Sequence, residues 1–198
     1  MFVTFEGLDG SGKTTQIDLL RARLEGDGRE VVVTREPGGT ALGELIRPLV
    51  LEGPEMEPWP EAALFAAARA QLVAEVIRPA LARGADVLCD RYVDSSLAYQ
   101  GIARGLGLER VLELNLDAVG GLLPDRTFLL VVDASAAAGR VGDSPDRIER
   151  ESAAFQERVA AAYLELAERW PDRITVLDGT LPAGELAEQV HGALRSTA

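Results

Sequence analysis

Five short apolar runs recur along the chain, and within each run the apolar residues follow one another rather than alternate with polar ones. This pattern is typical of parallel strands that are covered on both faces, because neither face then meets water. The predicted strands occupy residues 2–5, 31–34, 87–89, 128–132 and 174–177.

Segments with helical periodicity separate these strands. Alternating strands and helices predict an α/β fold with a doubly wound parallel sheet, which binds ligands at the C-terminal ends of its strands. We predict a single domain over residues 1–198, with a stiff proline-rich connector at 52–60 and a short lid at 140–147. The predicted helices occupy residues 14–25, 41–51, 61–82, 95–103, 108–119, 134–141, 149–170 and 182–195.

Composition excludes several classes of protein. Cys89 and His191 are the only residues of their types, so a disulfide framework and a Cys/His metal cluster are excluded. We interpret His191, in the last predicted helix, as a surface residue. A net charge of −12 argues against a nucleic-acid partner. The sequence has no membrane-length apolar run and no signal peptide, so we expect a cytoplasmic protein without a membrane partner.

The chemistry begins directly after the first strand. Residues 7–14 fit the phosphate-loop pattern G-x-x-x-x-G-K-[ST], and Lys13 is the only lysine in the chain. Such a loop points backbone N–H groups at phosphates, its lysine reaches between them, and the Thr14 hydroxyl is placed to ligate Mg²⁺. The sequence therefore predicts ATP binding. The predicted loop residues are Gly7, Leu8, Asp9, Gly10, Ser11, Gly12, Lys13, Thr14 and Thr15.

Charged residues follow the second and third strands. Arg35 and Glu36 stand beside a glycine pair, where they suit either a ligand or an ordinary strand-to-helix turn. Asp90 ends the third strand, the position from which an acid supports Mg²⁺ and its waters in phosphate-loop proteins. Arg91 follows it and could bridge donor and acceptor phosphates.

Two later helices carry a candidate base site. Phe65 and Arg69 share one helix face at i, i+4 spacing, so a ring could stack on a base while a guanidinium bonds its edge. Core packing is the alternative for Phe65, whereas Arg69 stands among alanines without an obvious ion-pair partner. Ser96, Tyr99 and Gln100 supply hydroxyl and amide groups suited to a sugar and a base.

Together these segments resemble the thymidylate kinases, which phosphorylate dTMP, over nearly the whole chain. The resemblance rests on five motifs in family order: EGLDGSGKTT (6–15), TREPGGT (34–40), LFAAAR (64–69), DRY (90–92) with SSLAYQG (95–101), and DRIE (146–149). It implies a nucleoside-monophosphate-kinase fold with sheet order 2-3-1-4-5, a homodimer, ATP as the phosphoryl donor and Mg²⁺ as cofactor.

The resemblance also implies a role for individual residues in binding dTMP. Phe65 stacks on thymine and Arg69 bonds its O4, while Ser96 and Gln100 complete base recognition. Asp9 holds the 3′-hydroxyl, and Tyr99 crowds the 2′ position. The residues implied to hold the dTMP phosphate and its surroundings are Arg35, Glu36, Arg47 and Arg91.

For ATP, the resemblance implies that Lys13, Thr14 and Mg²⁺ bind the phosphates, with Asp90 near the metal, and that Arg140 lies against adenine. One departure concerns the lid. Family members without an arginine in the phosphate loop usually have several basic lid residues, but here Ser11 takes that loop position and only two arginines bracket the lid. Arg147 is then the leading candidate to stabilise the transition state, with Lys13 and Arg91.

Other functions remain open from the residues alone. A kinase for another nucleotide or nucleoside is the nearest alternative, and activity on dUMP is expected because one methyl group discriminates weakly. A nucleotide-gated switch usually carries an Asn-Lys-x-Asp motif, which a chain with its single lysine at position 13 cannot contain. A purely structural ATP-binding module would not need the acceptor-side arginines.

Overall fold

The computed structural model describes residues 1–133 and 146–195. Its five strands form one parallel sheet in the order β2-β3-β1-β4-β5, which confirms the predicted fold class and sheet order. Each predicted strand is present, with ends that differ by no more than two residues. The strands are β1 (Phe2–Glu6), β2 (Val31–Arg35), β3 (Asp86–Asp90), β4 (Arg126–Val131) and β5 (Ile174–Asp178).

Helices cover both faces of the sheet, and this explains why the strands are apolar without alternation. Neighbouring strand residues point to opposite faces. Phe2 packs in one buried cluster with residues of the long helices after β2 and β4, whereas Val3 packs in another with residues of the first and last helices. Most strand positions are therefore buried and suit an apolar side chain.

The helices lie close to their predicted positions. Two of them, 41–51 and 108–119, match the prediction at both ends, and the predicted helix 134–141 lies outside the described residues. The helices are α1 (Lys13–Gly26), α2 (Ala41–Leu51), α3 (Pro58–Leu72) continuing through a π-helical turn (Val73–Ile77) into α4 (Arg78–Ala82), α5 (Val93–Ser96) continuing into a π-helical segment (Leu97–Ala103), α6 (Leu108–Val119), α7 (Ala153–Arg169) and α8 (Ala183–Arg195).

Two predicted boundaries are wrong for local reasons. Pro58 and Pro60 belong to the first turn of α3 rather than to the connector, because proline costs no hydrogen bond at a helix start. The helix predicted from residue 149 begins at Ala153, since the Ser152 hydroxyl accepts from the backbone N–H of Phe155 and caps α7.

Candidate active site

The phosphate loop connects β1 to α1 at the C-terminal edge of the sheet. Gly12 precedes the helix with a left-handed φ of 98°, and a Cβ on Gly7 would lie 2.4 Å from the carbonyl oxygen of Leu130. The Lys13 ammonium donates to the carbonyl oxygens of Gly7 at 3.2 Å and Leu8 at 3.0 Å, so the loop folds around it. Glycine is therefore needed at position 7, where the loop passes close to β4, and at position 12, where the backbone is left-handed.

Thr14 and Asp90 form a small polar pair beside the loop. The Thr14 hydroxyl donates to Asp90 Oδ2 at 3.3 Å, and Asp90 Oδ1 is buried without a hydrogen-bond partner in the described structure. A hydroxyl beside an unsatisfied carboxylate oxygen suits Mg²⁺, which takes few protein ligands and keeps water and phosphate oxygens. Within the described residues no group of three or more His, Cys, Asp or Glu could hold a metal by itself.

Two pockets open at this edge of the sheet. The phosphate-loop pocket is lined by residues 9–16 and Asp90, together with Gly179, Leu181, Ala183 and Leu186. Its neighbour, which we call the aromatic pocket, is lined among others by Asp9, Glu36, Arg47, Phe65, Arg91, Ser96, Tyr99 and Gln100. Asp9 lines both pockets, so a ligand in one would meet a ligand in the other at this residue.

Arg91 lies at the boundary between the pockets. Among the described non-glycine residues it alone has a positive φ, at 69°. Its guanidinium lies 2.7 Å from Asp9 and also donates to the hydroxyls of Ser95 and Tyr163. Burial by itself would raise the pKa of Asp9, but Arg91 and Lys13 outweigh it and hold that pKa at about 2. Asp9 is therefore ionised at neutral pH.

Arg69 differs most from its sequence interpretation. The sequence offered Arg69 no obvious ion-pair partner, but its guanidinium contacts Glu36 at 2.6 Å. It also donates to Ser96, Asn115 and the carbonyl oxygen of Tyr92, with only 1% of its surface exposed. Arg69 thus lies behind the aromatic pocket, and its bond to a base stays a prediction.

Glu36 contributes a second buried carboxylate. Its Oε2 accepts from Arg69, whereas its Oε1 is buried and unpartnered among the described atoms. Burial raises the pKa of Glu36 to about 6, although Arg69 opposes the shift. Because Glu36 lines the aromatic pocket, this oxygen is a candidate acceptor for a ligand.

The predicted base and sugar residues share the aromatic pocket. Phe65, Ser96, Tyr99 and Gln100 all line it, although they come from two different helices. Tyr99 stacks under the Arg91 guanidinium at 5.5 Å from its ring centre, which fixes the ring at the boundary of the two pockets.

The other predicted arginines divide into two groups. Arg47 lines the aromatic pocket and donates to the carbonyl oxygen of Pro37 at 2.8 Å. Arg35 is exposed and pairs with Glu44 at 3.2 Å. Arg147 is buried, pairs with Glu61 at 2.7 Å and lines neither pocket, so it does not reach the phosphate loop here. Arg140 lies outside the described residues.

A hydroxyl cluster that supports Arg91 was not predicted from the sequence. The buried Glu6 accepts from Ser95 at 2.6 Å and from Tyr163 at 2.9 Å, and both hydroxyls contact the Arg91 guanidinium. Burial, and then Asp94, raise the pKa of Glu6 to about 7. The available signal was an acidic residue at the end of the mostly apolar β1.

A glycine after β5 was also missed. A Cβ on Gly179 would lie 2.7 Å from the Val132 side chain and 3.2 Å from the carbonyl oxygen of Ser11. The chain therefore approaches the phosphate loop there as only glycine allows.

The fold and the site together define a class. A parallel sheet in the order 2-3-1-4-5, a phosphate loop after β1 and a second pocket reached across Asp9 are the features of a phosphate-loop nucleoside-monophosphate kinase.

Comparison with known proteins narrows this class to one family. The family model described as thymidylate kinase matches residues 5–190. A thymidylate kinase of Bifidobacterium longum is 51% identical over 99% of this chain and 96% of that protein, and one of Deinococcus radiodurans is 48% identical over 98% and 96%. The crystal structure of a thymidylate kinase from Ehrlichia chaffeensis superimposes with a TM-score of 0.80 at 35% identity, covering 98% of both chains. The chain belongs to the thymidylate kinase family.

Proposed function

We propose that this chain transfers the γ-phosphoryl group of ATP to dTMP, giving ADP and dTDP, a step in dTTP synthesis. Membership of the thymidylate kinase family supports the reaction. The observation that carries it is that Asp9 lines both pockets, so ATP phosphates at the phosphate loop and a nucleotide in the aromatic pocket would meet at one point.

The donor side rests on the phosphate loop. Lys13 and the backbone N–H groups of residues 7–15 bind the ATP phosphates. The Thr14 hydroxyl and the unpartnered oxygen of Asp90 would hold Mg²⁺. When bound, the ion would supply positive charge that offsets the charge of the ATP phosphates.

The acceptor side rests on the aromatic pocket. Phe65 stacks on thymine, and Ser96 and Gln100 bond its edge. Arg69 would have to release one of its present contacts, to Glu36, Ser96, Asn115 or Tyr92, to bond O4. Tyr99 excludes a 2′-hydroxyl and Asp9 holds the 3′-hydroxyl. The residues proposed to hold the phosphate are Arg91 and Arg47, which line the pocket, with Glu36 beside them and Arg35 turning in from Glu44.

Catalysis then needs no strong base. The attacking dTMP oxygen is already anionic and approaches the γ-phosphorus in line with the leaving oxygen. Lys13 and Arg91 position the two phosphates and neutralise their charge, which is how such sites lower the barrier. In this structure Arg147 would have to leave Glu61 to take part. We therefore assign stabilisation of the transition state to Lys13 and Arg91.

Assembly and location stay predictions. On α2, Leu42, Leu45 and Leu49 are between 42% and 70% exposed along one face, and this unpaired apolar stripe supports a homodimer. Sedimentation equilibrium measures that state directly. None of the described helices is long and apolar enough to cross a membrane. The cytoplasm remains the location predicted from the sequence.

The test is ADP release from Mg·ATP with a panel of acceptors: dTMP, dUMP, ribosylthymine monophosphate, UMP, CMP, AMP, GMP and thymidine. We expect strong preference for dTMP, weaker use of dUMP and little ribonucleotide turnover. Equal use of UMP or CMP would overturn the substrate while keeping the phosphoryl transfer. ATP binding without turnover of any acceptor would instead favour a nucleotide-gated switch.

A further inference from the structure

A buried carboxylate outside the predicted site contacts one of the base-pocket residues. Glu61, in the first turn of α3, is 1% exposed. Its Oε1 accepts from the side-chain amide of Gln100 at 2.8 Å, and its two oxygens also accept from Arg104 at 3.3 and 3.2 Å. Arg147 donates to Oε2 at 2.7 Å. Two guanidinium groups thus fix the carboxylate that Gln100 meets.

This contact determines which end of the Gln100 amide reaches the pocket. A carboxylate flanked by two guanidinium groups accepts hydrogen bonds and has none to donate, so only the amide NH₂ can face it. The reversed amide would place two acceptor oxygens 2.8 Å apart without a hydrogen between them. With the NH₂ group held by Glu61, the carbonyl oxygen is the end of Gln100 left for a ligand in the aromatic pocket.

An acceptor at this point discriminates between pyrimidines. Thymine and uracil carry a hydrogen on N3, whereas cytosine has a bare N3 that can only accept. We propose that Glu61 is a positioning residue that fixes Gln100 as a hydrogen-bond acceptor, so that the pocket selects pyrimidines with an N3–H over cytosine. This inference rests on the proposed function and names one determinant of its base selectivity, beside the proposed contact of Arg69 with O4.

The direct test is Glu61→Gln, which keeps the shape of the side chain but lets it donate as well as accept. The Gln100 side-chain amide can then exchange the positions of its NH₂ group and its oxygen with little loss of hydrogen bonding. We expect the ratio of kcat/KM for dTMP to kcat/KM for dCMP to fall about tenfold or more, which corresponds to one misplaced hydrogen bond. The matched control is Glu151→Gln, because Glu151 pairs with Arg104 at 2.5 Å but not with Gln100. It should keep the ratio within about twofold of the unmodified protein.

A double-mutant cycle separates positioning from simple support of the fold. Gln100→Met removes both ends of the amide and should itself lower the dTMP/dCMP ratio, and adding Glu61→Gln should lower it no further. If kcat/KM in Glu61→Gln falls equally for dTMP and dCMP, or for neither, the ratio is unchanged and the proposal is overturned. If Glu61→Gln does not fold, an unchanged ratio in Gln100→Met overturns it equally.

Failure of this inference differs from failure of the proposed function. Titration calorimetry with dTMP and with dCMP measures the binding selectivity without any phosphoryl transfer. A protein that prefers dTMP in binding, loses the preference in Glu61→Gln and transfers no phosphate would contradict the reaction and support the role of Glu61. A protein that phosphorylates dTMP, and whose Glu61→Gln variant keeps the same selectivity, would support the reaction and contradict the role of Glu61.

Discussion

Asp9 Oδ1 and Arg91 Nη2 lie 2.7 Å apart at the boundary between the phosphate-loop pocket and the aromatic pocket. Asp9 belongs to the loop after β1 and Arg91 follows β3, the neighbouring strand in the sheet. The pair therefore joins the two halves of the site, and the left-handed φ of Arg91 turns its side chain toward that boundary. Ser95 and Tyr163 support the guanidinium from behind.

The first prediction concerns this arginine. Arg91→Ala should lower kcat for dTMP phosphorylation about 100-fold or more, because a preorganised cation is lost where charge develops. A coupled assay of ADP release measures it, and a thermal melt shows whether the fold is retained. The control is Arg83→Ala, an exposed arginine that pairs with Glu30 outside both pockets and should change kcat by no more than about twofold. Near-normal turnover in Arg91→Ala would remove Arg91 from the mechanism.

The single lysine gives the second prediction. Lys13→Arg keeps the charge, yet we expect kcat/KM for ATP to fall about 100-fold or more. The ammonium is 6% exposed and is enclosed by the carbonyl oxygens of Gly7 and Leu8, where a planar guanidinium does not fit. Steady-state kinetics with varied ATP measure the effect. An arginine variant with unchanged kcat/KM would show that charge alone is sufficient at this position.

The third prediction concerns magnesium. Asp90→Asn should raise the Mg²⁺ concentration needed for half-maximal activity about tenfold, since an amide is a weaker partner for the ion than the buried, unpartnered carboxylate oxygen. The measurement is activity against free Mg²⁺ at fixed ATP. Asp117→Asn, at an exposed position of α6, is the control. Identical titrations for Asp90→Asn and the control would place the metal elsewhere.

The fourth prediction follows from Glu6, whose pKa is raised to about 7 by burial first and by Asp94 second. Between pH 4.5 and 7 the folded state then holds more protons at this carboxyl than the unfolded state. The Glu6 contribution to stability is therefore fully present below pH 4.5 and is lost as the pH rises through about 7.

Glu6→Gln removes this titration. Across pH 4.5 to 7 the free energy of unfolding of the unmodified protein should fall relative to the variant by about 1 kcal/mol per pH unit. Urea unfolding at several pH values measures the difference. Glu36 titrates in the same direction in both proteins and cancels in the comparison. Parallel pH dependences in the two proteins would contradict the raised pKa of Glu6.

Much of the fold could be predicted because its signals are local. A buried parallel strand needs apolar residues at consecutive positions, and all five runs with this property are strands. The phosphate loop is equally local, since its glycines, lysine and threonine are contiguous. Of the helix starts that were wrong, the one at Pro58 reflects prolines that fit a first helical turn as well as a connector, and the one at Ala153 reflects the Ser152 cap.

The contacts inside the site could not be predicted, because they join residues that are distant in sequence. Glu6 meets Tyr163 across 157 positions, Arg69 meets Glu36 across 33, and Gln100 meets Glu61 across 39. Residue type showed that Arg69 was unusual among alanines, but not that Glu36 neutralises it. The same limit applies to Arg147, whose motif suggested the lid although its side chain pairs with Glu61.

The sequence by itself determined the class of sheet, the position of the phosphate loop and the residue types available for a nucleotide, because each is encoded in a few adjacent positions. Only the tertiary structure decided which charges pair, which oxygens stay free and which side chains share a pocket. Those outcomes depend on desolvation and on distances of about 3 Å between separate elements, and packing of the whole domain sets both.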